Sequence, residues 1–215
     1  MTPARLLEHF DRISEAPDAI PRLRQFILNL AVRGKLVPQD PNDEPAVILT
    51  VSEKSHSSKT VRIRETESIW PYEVPSSWIW RRIADVSDQI TDGEHATPPR
   101  ISEHQIPLVT AKNVRDGEMD YAQTDWVSVD TAEKAWRRCR PSVRDILLVC
   151  VGATTGWLCI LREAKDMVLV RSVALIRPSE VVNVDYLALA LRSPICQGEI
   201  WKQVKVTAQP CLYIN

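Results

Sequence analysis

The sequence predicts an α+β fold: an N-terminal helical hairpin, then a domain with a curved, mostly antiparallel sheet and short flanking helices. Three observations predict it. Between residues 145 and 178, three short apolar runs (146–151, 158–161, and 167–170 continuing to 176) are rich in Val, Ile and Leu and are separated by polar turns. Runs this short with β-branched residues read as buried strands. Residues 4–34 instead repeat apolar side chains at helical spacing. Fifteen prolines against six glycines in 215 residues mark many loop corners between compact elements.

In residues 4–15, Leu6, Leu7, Phe10 and Ile13 form one apolar stripe. Asp18 is expected to cap a second helix, with Pro21 in its first turn, where a missing amide does no harm. Ile20, Leu23, Ile27, Leu30 and Ala31 make its apolar face, and Gly34 ends it, with Arg33 and Lys35 near its negative end and Pro38 beyond. About 30 residues of this kind do not bury their stripe alone. They are expected to pack on the following domain, on another copy, or on a partner.

After residue 46 the text turns polar, with SEKSHSSKTVRIRETES following a short apolar run at 47–51. It reads as a linker, which divides the chain into a helical region 1–45, a linker 46–68 and a larger domain 69–215. In that domain residues 75–78 read as a turn, 79–86 as a short strand running into a short helix, and 90–100 as a loop. Residues 106–109 read as a strand, 111–117 as a strand end and turn, and 127–138 as an amphipathic helix. The three-run sheet follows, then helices at 184–191 and 195–204. The text stops after the apolar TAQPCLYIN, which reads as a boundary ahead of further chain.

With 44% hydrophobic and 26% charged residues the composition supports a packed core. A net charge of −1 and a pI of about 6.4 give no overall basic signal. Any positive surface for a polyanion has to be arranged locally. The five cysteines are odd in number and none are at metal-ligand spacing; Cys150 and Cys159 lie inside apolar runs. They read as small buried hydrophobes in a reducing compartment. No run is long enough to span a bilayer and no signal-peptide core stands at the start, so a soluble cytoplasmic protein is expected.

Asp145 with Glu163-Ala164-Lys165 carries the letters of a metal-dependent nuclease. A magnesium site needs those carboxylates to converge, and here Glu163 and Lys165 fall in a polar turn. Asp92-Gly93-Glu94-His95 offers metal ligands or an acid–base pair, but no second histidine stands at ligand spacing. No nucleophile elbow appears, and the GATTG turn lacks the lysine of a phosphate loop. No catalytic residue, metal or cofactor is therefore expected. What remains is a binding domain whose loops carry side-chain types that read base edges. The candidates are Asp92, His95, Thr97 and Arg100 in the 90–100 loop, then Lys112, Asn113, Thr154, Thr155 and Arg171. Arg137 and Arg138, in a cluster with Arg140 and Arg144, are candidate phosphate contacts.

Several segments together resemble one family. LRQFILNLAVRGKLVPQDPNDEPA (23–46), PYEVPSSWIWRRIADV (71–86), ITDGEHATP (90–98), DILLVCVGATTG (145–156), RSVALIRP (171–178), YLALALRSP (186–194) and TAQPCLYI (207–214) are similar to stretches of the specificity subunits of type I restriction–modification enzymes. The resemblance implies sequence-specific recognition of double-stranded DNA with no chemistry of its own. It implies modification (methyltransferase) subunits as partners and, through them, the restriction subunit. Such subunits usually carry two recognition domains separated by long helices, and this chain resembles the first half. A half-subunit of this kind is expected to pair with itself. Two departures stand out. Arg144 replaces the glycine usual before the strand-opening aspartate, and Trp157 stands where a polar or basic residue is common.

Overall fold

The computed structural model describes residues 3–10, 17–46, 70–206 and 209–214. The predicted linker from residue 47 onward and the second half of the first predicted helix lie outside these. The chain divides into two compact units, 1–81 and 82–215.

The smaller unit contains α1 (Pro3–Glu8) and α2 (Ala19–Val32). Asp18 does not cap α2 through its side chain as predicted. It sits in the left-handed region (φ 59°), and only its carbonyl engages, accepting from the Arg22 amide at 3.0 Å. The predicted stop at Gly34 is present in full. Gly34 has φ +64°, its amide donates to the Ala31 carbonyl, and the Lys35 amide reaches back to Leu30. That is the two-bond Schellman ending, which satisfies carbonyls the helix would leave open. Glycine is required there twice over, since an added Cβ would stand 2.4 Å from Pro75 Cγ. The Tyr72 hydroxyl donates to the Val32 carbonyl, and the Arg33 guanidinium lies 4.5 Å over the Tyr72 ring. Through these contacts residues 70–81, the opening of the second domain read from sequence, group with α2.

The larger unit holds nearly all of the buried core. Its strands are β1 (Ser87–Asp92), β2 (Ile106–Val109), β3 (Asp125–Val127), β4 (Ile146–Val149), β5 (Leu158–Ile160), β6 (Val168–Leu169), β7 (Val173–Pro178), β8 (Lys205–Val206) and β9 (Pro210–Cys211). Its helices are α3 (Val129–Trp136), α4 (Val184–Arg192) and α5 (Pro194–Gln203). One sheet has the order β1-β7-β4-β5 and is antiparallel throughout; a second has the order β3-β2-β6, with β2 and β6 parallel. The predicted meander is therefore broken. The third apolar run splits at Val170–Ser172: its first half joins the second sheet, and its second half crosses back to lie against β4.

Period-two alternation explains the layering. Leu147, Val149, Cys159, Val173 and Leu175 point into a core shared with Val109, Met167 and Leu169 of the second sheet. Their neighbours Ile146, Leu148, Leu158, Ala174 and Ile176 point the other way, onto Val184, Leu187, Ala188 and Leu191 of α4. On the far side of the second sheet Leu108, Val127 and Val168 pack on Ala132 and Ala135 of α3. The order is helix, sheet, sheet, helix. A sheet covered on both faces needs apolar residues at every position, which is why β4 reads as an unbroken apolar run. Residues 79–86 form only a 3-10 turn at Ile83–Asp85, and residues 90–92 of the predicted loop instead finish β1. Residues 111–113 are a 3-10 turn rather than a strand end. The three helices are capped by Ser128, Asn183 and Ser193, each accepting from an amide three residues on.

Cys139, Cys150 and Cys159 are buried and free, and burial pushes the last two thiols up to about 12. Arg144 takes φ +74°, a conformation that glycine adopts without Cβ strain. Its guanidinium donates to the Glu180 and Val182 carbonyls, so deleting the side chain confounds strain with lost bonds. Comparing Arg144→Gly with Arg144→Ala removes that confusion. The glycine variant is expected to be the more stable by about 1 kcal/mol, read from urea midpoints at equal slope.

Candidate functional site

The end of β1 bridges the two sheets. Asp92 pairs with Ala174 of β7, the Glu94 amide donates to the Leu169 carbonyl at 2.8 Å, and the Arg171 amide returns to the Glu94 carbonyl at 3.0 Å. Gly93 sits in that seam. A Cβ there would stand 2.1 Å from the Leu169 carbonyl oxygen, so only glycine lets the two backbones approach.

This seam aims Asp92, His95 and Arg138 at one another. Arg138 Nη2 donates to Asp92 Oδ1 at 2.6 Å, its Nε donates to the Asp92 carbonyl, and His95 Nε2 lies 2.9 Å from Asp92 Oδ2. Arg138 Nη2 also lies 3.2 Å from the same His95 nitrogen. Neutral Nε2 cannot both donate to Asp92 and accept from Arg138, and the shorter contact, to the carboxylate, is the one that counts. Burial raises the Asp92 carboxyl, but the hydrogen bonds from Arg138 and then His95 outweigh it and hold the group below its ordinary value. The same carboxylate raises Arg138 above its usual value.

A second network lies further along the loop. Asp125 of β3 holds Arg100 Nε at 3.1 Å and Lys112 Nζ at 3.3 Å. The loop is anchored beside it: the Ile101 amide donates to the Trp126 carbonyl, Pro98 is buried, and His104 stacks on Trp126 with ring centres 4.5 Å apart. Thr97 is exposed between the two networks. The structure thus places Asp92, His95, Thr97, Arg100, Lys112 and Arg138 on one stretch of loop and its supports. Arg171 and Arg137 are exposed and, among the described residues, make no side-chain ion pair or hydrogen bond.

Two candidates are corrected. Asn113 is 1% exposed and is spent inside its own loop, with Oδ1 accepting from Thr110 and Nδ2 donating to the Asp120 carbonyl and Thr124. Thr155 is 3% exposed, and its hydroxyl donates to the Gly152 carbonyl at 2.7 Å. Both are turn staples: the Asn113 amide is fully spent, and the Thr155 hydroxyl is buried with its proton committed. Thr154 stays half-exposed. The predicted basic cluster is also dispersed: Arg138 turns to Asp92, Arg140 to Asp166, and Arg144 to two carbonyls. Sequence reading missed Asp125 and the His104–Trp126 stack; they lie outside any motif, and only the β2–β3 pairing brings them to the loop.

The nuclease letters do not assemble a site. Asp145 is 1% exposed and accepts from Arg177 Nε at 2.8 Å and Nη2 at 2.7 Å, and from the Ser142 amide at 2.8 Å. A carboxylate buried and committed to an arginine fork in this way presents no open face to a metal. Lys165 lies 3.6 Å over the Tyr121 ring.

The fold and loop define an α+β domain that displays polar side chains, in a chain that also carries a helical unit. No family model matches the chain. The EcoAI specificity subunit of a type I restriction enzyme from Escherichia coli is 31% identical over 199 residues, covering 81% of this chain and 31% of that one. The EcoEI specificity subunit, also from Escherichia coli, is 35% identical over 125 residues, covering 51% and 20%. The solved HsdS subunit from Thermoanaerobacter tengcongensis superposes with a TM-score of 0.44 at 15% identity, covering 97% of this chain and 45% of that one. The chain is a homologue of the type I restriction-enzyme specificity subunits. It spans about a third or less of the length of these two sequence relatives.

Proposed function

We propose that the chain is a half-subunit of a type I specificity protein: residues 1–45 as helical region, 46–68 as linker and 69–215 as one target recognition domain. It reads a sequence in double-stranded DNA, performs no chemistry, and brings modification subunits, and through them a restriction subunit, to the site in the cytoplasm. Among the described residues no helix is long and apolar enough to cross a membrane. The observation that carries the reading is the loop that leaves the sheet seam at Gly93, where His95, Thr97 and Arg100 stand exposed and the Arg171 amide bonds the Glu94 carbonyl.

Within the candidate set the network supports three roles. Arg138 is held by Asp92 and so acts as a strut for the loop. Arg171, whose guanidinium pairs with none of the described residues, suits bidentate contact with a guanine edge. Arg137 suits a phosphate. Self-pairing of two such chains supplies a second reading domain.

The test is selection of bound sequences from random duplexes with the modification subunit present, followed by titration of the selected site. Arg171→Ala is expected to weaken the selected site about 10- to 100-fold while changing random duplex little. Arg137→Ala is expected to weaken both alike and to lower the salt slope by about one. Equal losses on both duplexes for Arg171→Ala overturn the base-contact role, and no enriched sequence overturns the reading itself.

A further inference from the structure

The smaller unit holds a constellation that the recognition loop does not use. The Trp70 and Trp80 rings stack with centres 5.5 Å apart and planes 5° apart, and Tyr72 meets Trp80 edge-on at 4.9 Å. With Glu73 and Val74 they line an open cavity of about 460 Å³. The frame is fixed before any ligand arrives. Trp80 Nε1 donates to the Tyr72 carbonyl, the Tyr72 hydroxyl to Val32, the Trp78 amide to Pro75, and the Ala46 amide to Ser77. A preformed wall loses little freedom on binding.

Two features decide what it takes. Trp70 keeps 44% of its surface in water, although it is a large apolar ring. Glu73 is exposed and makes no ion pair among the described residues. Aromatic faces attract cations through their negative π-clouds, and an unpaired carboxylate at the same wall adds attraction of the same sign. The cluster already holds one cation internally, the Arg33 guanidinium over Tyr72. A nucleobase would gain stacking alone, and its phosphates would be repelled by Glu73.

We propose that this pocket binds a guanidinium or ammonium side chain presented by a partner protein. It does not depend on the DNA-reading assignment, and its test contains no DNA. The full chain is titrated with N-acetyl-argininamide and N-acetyl-lysinamide while the indole resonances of Trp70 and Trp80 are followed by NMR. N-acetyl-glutaminamide serves as the neutral control and adenosine as the stacking control. At least one cation is expected to give saturable shifts confined to these indoles, while the neutral amide gives none. Glu73→Gln, an exposed change that leaves the rings in place, is expected to weaken that binding about threefold. Trp70→Ala is expected to abolish it. Absence of saturation with both cations, an equal response to the neutral amide, tighter binding of adenosine, or an unchanged affinity in Glu73→Gln each overturns the proposal.

Discussion

Replacing Asp145 with alanine is expected to destabilise the larger unit by about 2–3 kcal/mol. The carboxylate is buried at the opening of β4 and takes both nitrogens of the Arg177 fork as well as the Ser142 amide and hydroxyl. Arg177 also donates to Gln89 of β1 and to the Arg140 carbonyl, so one guanidinium ties three segments together. Removing the acid leaves that cation without its counter-charge, and this penalty, rather than the lost attraction, sets the size of the effect. The Arg177 side chain keeps 33% of its surface in water, so solvent recovers part of it, and the loss is smaller than for a fully buried pair. A lower urea midpoint at unchanged slope is the expected signature. The double replacement Asp145→Leu with Arg177→Met is expected to restore most of the loss, because two apolar groups leave no orphaned charge. A loss under about 1 kcal/mol in the single variant would mean that solvent already carries Arg177.

That pair shows both the reach and the limit of reading the sequence. An aspartate before an apolar strand was legible, but its role depends on Arg177, which is adjacent only because β7 folds back beside β4. The three apolar runs were legible as strands by length and β-branching. Their partners were not, since the switch of β6 into the second sheet turns on a three-residue corner with neither glycine nor proline to mark it. Helix ends were read best where the signal is local: Gly34 closes α2 through bonds spanning five residues. Asp18 had the right letter, and its left-handed backbone turned the carboxylate away from capping.

The candidate loop divides the same way. Asp92, Gly93 and His95 were legible together because they are contiguous and chemically unusual. The sequence showed polar types suited to base edges, and it could not show which were already spent. Asn113 and Thr155 have the right chemistry but the wrong exposure, because short turns recruit these same side chains to satisfy their own backbone. Arg138 carries a charge that Asp92 neutralises locally, so counting basic residues overstated the positive surface. Arg171 emerges by the opposite logic, as a cation that none of the described residues pairs.

Gly93→Ala is expected to be the most damaging single-methyl change in the candidate loop. Its backbone is not in the left-handed region, so the effect comes from the approach of a second chain rather than from φ. The new Cβ would meet the Leu169 carbonyl oxygen at 2.1 Å, its carbon at 2.2 Å and the Val170 nitrogen at 2.6 Å. All three are backbone atoms in β6 or beside it, where no rotamer change relieves the clash. The seam has to open, breaking the Glu94 to Leu169 and Arg171 to Glu94 hydrogen bonds that register the loop. Overpacking of this kind costs about 2–4 kcal/mol. Gly152 supplies the control. It has φ +95° and nothing within 4 Å of an added Cβ, so Gly152→Ala registers conformational strain alone, about 1–2 kcal/mol. Urea unfolding of the two variants is expected to show the larger loss at Gly93. Hydrogen exchange is expected to show faster exchange at the Glu94 and Arg171 amides in Gly93→Ala only. Equal losses, with those amides still protected, would mean that the seam tolerates the methyl and that Asp92 and His95 are positioned by their side-chain contacts instead.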